Sequence, residues 1–185
     1  MSVTTELIGT MYVLSPTVTL PDGLTWLPLT MQPFVEPLPL IISFITTPGT
    51  GHLYPLTLPV ALHNFCEPVA MAGDDYKARW GALAGAPREL TAAITPGSGA
   101  SSSDKAKESL GKIHMAVLDV AGAPGAPGAS SCRTLSVNAS GATISVGCLA
   151  MIIAAGPVYK VAVRTQHADV TKSLMASLTK LLEGS

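Results

Sequence analysis

LTLPVALHNFCEPVAMAGDDYKARW, Leu56 to Trp80, is the stretch on which the reading of this chain turns. Leu56–Phe65 reads as a strand, and Pro68 then opens the approach to a helix around Met71–Leu83. Asp74 and Asp75 sit early in that helix and Lys77 and Arg79 later, which suits its macrodipole. Gly81, Gly85 and Pro87 supply the stop signals. Tyr76 and Trp80 lie four apart and so share one helix face. Two roles are open to them: core filling, or an aromatic anchor where a partner's side chain docks.

Working outward toward the C-terminus, Ala142–Ile153 and Val158–Thr165 read as a hairpin across Gly156 and Pro157. Period-2 alternation in the last strand puts Tyr159, Val161, Val163 and Thr165 on one face. Val158, Lys160, Ala162 and Arg164 share the other. The first set wants a core. The second carries two cations about a small Ala162, a strip that would suit a carboxylate-bearing ligand or simply face water. His167–Glu183 closes the chain as a helix, with Val170, Leu174, Leu178, Leu181 and Leu182 as the apolar stripe that covers a sheet.

The intervening residues are less patterned. Arg88–Ile94 reads as a short helix, and Thr95–Ser103 as a flexible loop followed by a helical turn at Asp104–Leu110. Lys112–Val120 reads as a strand, low-complexity Ala121–Ser131 as an extended loop, and Cys132–Ala139 as a further strand. Residues 1–55 are β-like and rich in Pro, with turn signals at Pro21–Gly23 and Pro48–Gly51. They are too few for a full sandwich of about seven strands. The fold class expected is α+β: a partial β-sandwich over 1–55, then a subdomain over 56–185 in which helices flank an antiparallel sheet. Loops interrupt the second part at 95–103 and 121–131.

Composition limits the function. The 185 residues are 48% hydrophobic and only 12% charged, where an ordinary soluble domain has about 25% charged residues. A net charge of −1 gives no electrostatic case for nucleic acid or an anionic membrane. No charge occurs between Arg133 and Lys160, but Asn138, Gly141, Gly147, Gly156 and Pro157 deny that window an apolar core of about 20 residues. Prolines break the uncharged run from Pro37 to Cys66. The N-terminus has no basic region of a secretory signal, which makes the Asn138–Ser140 sequon incidental. Cys66, Cys132 and Cys148 are widely spaced and read as buried thiols of a reducing, cytosolic compartment. His52, His63, His114 and His167 show no metal-binding spacing, and no Ser or Cys sits in a nucleophile elbow. No catalytic residue, metal or cofactor is expected.

LPVALHNFCEP followed by DDYKARW resembles the segment that opens the platform subdomain of the alpha-adaptin appendage, the C-terminal ear of a large subunit of the endocytic clathrin adaptor complex. Gly147–Leu149, Tyr159–Lys160, Arg164–Thr165 and the final amphipathic helix follow in the family's order over roughly residues 55–185. The resemblance implies an alpha-adaptin-like platform after the partial sandwich, and a non-enzymatic hub at the cytosolic face of clathrin-coated pits. It would bind short Phe/Trp motifs of disordered endocytic accessory proteins, without direct membrane insertion. Other adaptor subunits would join through a trunk that this chain lacks.

By the same resemblance Trp80 is the wall of the aromatic pocket with Tyr76 beside it, and Lys160 and Arg164 form a basic rim. Met151 and Ile153 stand where the family carries an Arg and a Glu, and Lys77 stands in place of a second aromatic. The groove so implied is less charged on one side and less aromatic on another. A beta-adaptin or coatomer gamma appendage with different motif preferences is the near alternative. A small cytosolic enzyme with an unrecognised site is the remote one.

Overall fold

The computed structural model describes residues 61–133 and 144–184 throughout, and the backbone alone of 2–7, 11–13, 17–19, 29–31, 38–46, 50–58, 134–135 and 143. It divides into two compact units, Met1–Val60 with Thr134–Ile144, and Ala61–Arg133 with Ser145–Ser185. The division expected at 55/56 therefore falls at 60/61, and 134–144 joins the first unit.

The first unit contains strands β1 (Ser2–Leu7), β2 (Met11–Val13), β3 (Thr17–Thr19), β4 (Leu29–Met31), β5 (Leu38–Thr46) and β6 (Thr50–Leu58). They form an antiparallel sheet in the order β3-β1-β5-β6 and a separate β2-β4 pair. Thr46 pairs with Thr50, so the β5–β6 hairpin turns where Pro-Gly was expected to turn it. Its ladder runs on to Leu38 opposite Leu58, which draws residues 56–58 into this unit. The Pro21–Gly23 turn and the Asn138 sequon lie outside the described residues.

The second unit starts differently from expectation. The described strand covers Thr50–Leu58, and Leu62–Phe65, expected to continue it, forms a 3-10 turn. Then follow β7 (Cys66–Pro68), α1 (Gly73–Ala82), β8 (Glu89–Ile94), α2 (Ser103–Lys112), β9 (Ala116–Val117), β10 (Ala126–Leu135), β11 (Thr143–Ala155), β12 (Val158–Thr165) and α3 (Ala168–Glu183). The sheet is open, with six strands in the order β7-β10-β11-β12-β8 and β9 on β10. The β7–β10, β9–β10, β11–β12 and β12–β8 ladders are antiparallel. The architecture is α+β, a sheet flanked by helices, as the hydrophobic patterning implied.

Three local expectations are corrected. Glu89–Ile94 is an edge strand on β12, not a helix. The strand expected over Lys112–Val120 shrinks to Ala116–Val117, because α2 runs through Lys112. The loop expected at 121–131 becomes strand from Ala126 onward and lies inside the sheet between β7 and β11. Its small residues have a packing reason. A Cβ on Gly125 would collide with the carbonyl oxygen of Ile152, and one on Gly128 would come within 3.0 Å of Leu110 Cδ2. Close approach of the Ile152 backbone and of the Leu110 side chain accounts for Gly125 and Gly128.

The expected burial of β12 holds. Tyr159, Val161, Val163 and Thr165 are buried. The α3 helix covers this inner face with Val170, Leu174, Met175, Leu178 and Leu182, each of which is buried. Thr171 Oγ1 lies 2.8 Å from Thr165 Oγ1, joining helix to strand. Leu181, counted in the expected stripe, stays partly exposed. No helix among the described residues is long and apolar enough to cross a membrane.

Candidate functional site

The other face of the sheet is ordered by strand register. Across β11, β12 and β8 it presents three rows: Leu149–Arg164–Glu89, Met151–Ala162–Thr91 and Ile153–Lys160–Ala93. Antiparallel pairing thus puts Met151, Ile153, Lys160 and Arg164 on one surface, as their parity required. The α1 helix lies against that surface. Tyr76, Leu118, Val120, Ala129 and Leu149 form the buried cluster beneath it, and Met71, Trp80, Leu83 and Met151 pack at its margin.

Trp80 is the aromatic that reaches the edge of this cover. It is half-buried, and its ring stacks on that of Tyr76 with centroids 5.5 Å apart at 18°. Tyr76 is 2% exposed and its hydroxyl donates to the carbonyl of Ala150 at 2.9 Å. Burial pushes its phenol upward in pKa, and Arg164 partly opposes that. Tyr76 is therefore a support beneath Trp80, not a contact surface.

Arg164 is committed three ways. Its guanidinium lies 4.2 Å from the Trp80 ring centroid. Nη1 donates to the Trp80 carbonyl, in the last turn of α1, where carbonyls lack intrahelical donors. Nη2 donates to Glu89 Oε1 at 2.8 Å. With the Arg164 side chain 15% exposed and Glu89 22%, the pair is largely withdrawn from water. Gly85, at a φ of +93° that side chains disfavour, turns the chain after α1 so that its N–H donates to Glu89 Oε2 at 2.8 Å. The Gly85 hydrogen bond first, then Arg164, hold the Glu89 carboxyl below its ordinary pKa. Arg164 is thus a helix-capping and positioning group whose charge is already balanced.

Lys160 stands in a different setting. It is exposed, lies between Ile153 and Ala93 in the ladder, and takes part in no ion pair among the described residues. Ile153 and Ala162 are partly exposed beside it, as is Met151 between them and Trp80. The result is a shallow strip with Trp80 at one end, aliphatic side chains along it and one cation at the other. Lys77, on the exposed side of α1, pairs loosely with Asp74 at 3.9 Å and stays outside the Trp80 contacts.

Two features were not legible beforehand. Glu89 was hidden in a segment read as helix, although the Thr and Ile of ELTAAI do favour a strand. The cysteines, distant in sequence, gather in the core. Cys66 pairs directly with Cys132 across β7 and β10, and all three cysteines are buried and outside any disulfide. Hydrogen bonding from Cys132, then Cys148, lowers the Cys66 pKa. The bond to Cys66 and burial raise that of Cys148. His63 sits nearby with Nδ1 3.1 Å from Ser177 Oγ, and burial lowers its pKa. No group of three or more His, Cys, Asp or Glu among the described residues is arranged to hold a metal ion. No family model matches this chain, and no curated protein matches it.

Proposed function

We propose that this chain is a peptide-binding appendage of the clathrin-adaptor kind, which captures short Phe/Trp-containing motifs from disordered endocytic accessory proteins. The single observation that carries the reading is Trp80, half-exposed at the head of a strip that ends on Lys160, which is exposed and in no ion pair among the described residues. A Phe or Trp side chain of the peptide packs on Trp80, Met151 and Ile153, and an acidic residue of the peptide meets Lys160. Aromatic rings suit this role because they bury a large area with few rotors to freeze. Each contact is small and weak, and coat assembly gains strength from many of them. The reading rests also on the resemblance of Leu58–Trp80 and Gly147–Thr165 to the alpha-adaptin platform, with action at coated pits and without catalysis.

Arg164 modifies the proposal. Because Glu89 already balances it, the strip offers one free cation in place of two. Motifs with a single acid and neighbouring apolar residues should therefore bind better than strongly acidic ones. A panel of Asp-Pro-Phe/Trp and Phe-x-Asp-x-Phe peptides tests the preference and separates an alpha-adaptin-like appendage from a beta-adaptin or coatomer gamma one. Trp80→Ala should cost about 2 kcal/mol or more of binding, measured by calorimetric titration. Unchanged affinity in that variant, with its thermal unfolding intact, would overturn the site. Trp80→Phe keeps a ring there and should retain part of the affinity.

A further inference from the structure

The second unit holds a cavity of about 460 Å³. This lies within the roughly 300–1,000 Å³ of small-molecule sites. Trp80, Met151, Ile153 and Lys160 do not line it. Its apolar walls are Val69 and Met71 from the segment before α1, Ala82 and Leu83 from the end of α1, and Leu149 from β11.

The polar groups in that wall are one-sided. Among the described residues Arg79 is the only charged one in the lining, and no Asp or Glu contributes. Arg79 is exposed and takes part in no ion pair among the described residues, in contrast to Arg164. The nearest β7 carboxylate, Glu67, is engaged by Arg133 at 3.0 Å. Gln166 accepts the Gly147 N–H through Oε1 at 3.0 Å, which leaves its amide hydrogens to donate. Ser131 and Ser145 hydroxyls lie 2.6 Å apart, so one donates to the other and the second keeps a free O–H. A cation and two neutral donors over aliphatic walls lack one thing, an anion with an apolar body.

We propose that this cavity is a second binding site, for a small apolar monocarboxylate, with the carboxylate on Arg79 and the hydrocarbon against Leu83, Leu149 and Met71. A planar guanidinium receives a carboxylate through two parallel hydrogen bonds, which a neutral head group cannot reproduce. The site is distinct from the peptide strip, since Trp80, Met151, Ile153 and Lys160 do not line it and the two share no charged residue.

Octanoate and its neutral counterpart octanol are suitable probes, titrated calorimetrically into the full 185-residue chain and followed by amide NMR shifts. Octanoate should bind about tenfold or more tightly than octanol, with shifts at Ser131, Gly147, Leu149 and Gln166. Arg79→Gln should abolish that difference and leave titration by Phe/Trp peptides unchanged. Leu83→Trp, which fills the cavity, should weaken both probes. Octanoate should bind equally well with and without a Phe/Trp peptide, so failure of the peptide reading leaves this result standing. Equal binding of the two probes, an unaffected Arg79→Gln variant, or shifts confined to Ile153 and Lys160 would each overturn the proposal.

Discussion

The two ends of the outer face of β12 carry the same charge and lead opposite lives. Arg164 and Lys160 are four residues apart, point to one side of the sheet, and looked interchangeable as a basic rim. At one end α1 crosses, and Arg164 is held by the Trp80 ring, the Trp80 carbonyl and Glu89. At the other end Lys160 is exposed and in no ion pair among the described residues, so its charge stays available to solvent or a ligand. The difference teaches that spacing assigns a side chain to a surface, while neighbouring elements decide whether its charge is spent. It also follows the chemistry of the two cations. A guanidinium can stack, cap and pair at once, whereas an ammonium is a compact charge that stays hydrated.

Arg164→Met should break this contrast most severely. It strips the cap from α1 and leaves Glu89 as an unpaired, mostly covered carboxylate, at a cost of about 3 kcal/mol in chemical unfolding. A loss below about 1 kcal/mol would mean that Arg164 is not committed as described. Glu89→Gln should cost less, about 2 kcal/mol, because the uncharged amide keeps one acceptor for Arg164. In return it frees the Arg164 charge, so strongly acidic peptides should bind the variant more tightly, with a steeper dependence on salt. Unaltered salt dependence would count against the balanced pair.

Acid offers a milder way to the same state. The folded pKa of Glu89 is lowered from its ordinary 4.5, so its contribution is complete above that value. It is lost as pH falls below 4.5 and through the lower folded pKa. The difference in melting temperature between the wild type and Glu89→Gln should therefore shrink from roughly pH 6 to roughly pH 3. Smallest of all, Lys160→Glu should alter stability by no more than about 0.5 kcal/mol, since no partner is lost. The same change should weaken binding of acidic Phe/Trp peptides at low salt. A substantial loss of stability would show that Lys160 is not the free cation of the pair.

Much of the second unit could be read from residue patterns alone. Alternation over Val158–Thr165 named the buried and open faces correctly, because a strand of period 2 has no other way to divide those residues. The apolar stripe of 168–183 did the same for α3. Segments of weak pattern failed for physical reasons. Ala126–Ser131 is strand because it pairs with β7 and β9, elements distant in sequence, and local composition cannot distinguish that from a flexible loop. Glu89–Ile94 gains its extended form from the β12 ladder, a contact some seventy residues away in sequence.

The candidate site divides along the same line. By itself, the sequence determined which residues could share a surface: Tyr76 with Trp80, and Lys160 with Ala162 and Arg164. These follow from helical and strand periodicity, which are local properties of the backbone. Only the tertiary structure decided that Tyr76 is a buried support, that Glu89 balances Arg164, and that three scattered cysteines meet in one core. Such outcomes depend on which distant element packs over each side chain, and burial and ion pairing act across space, not along the chain.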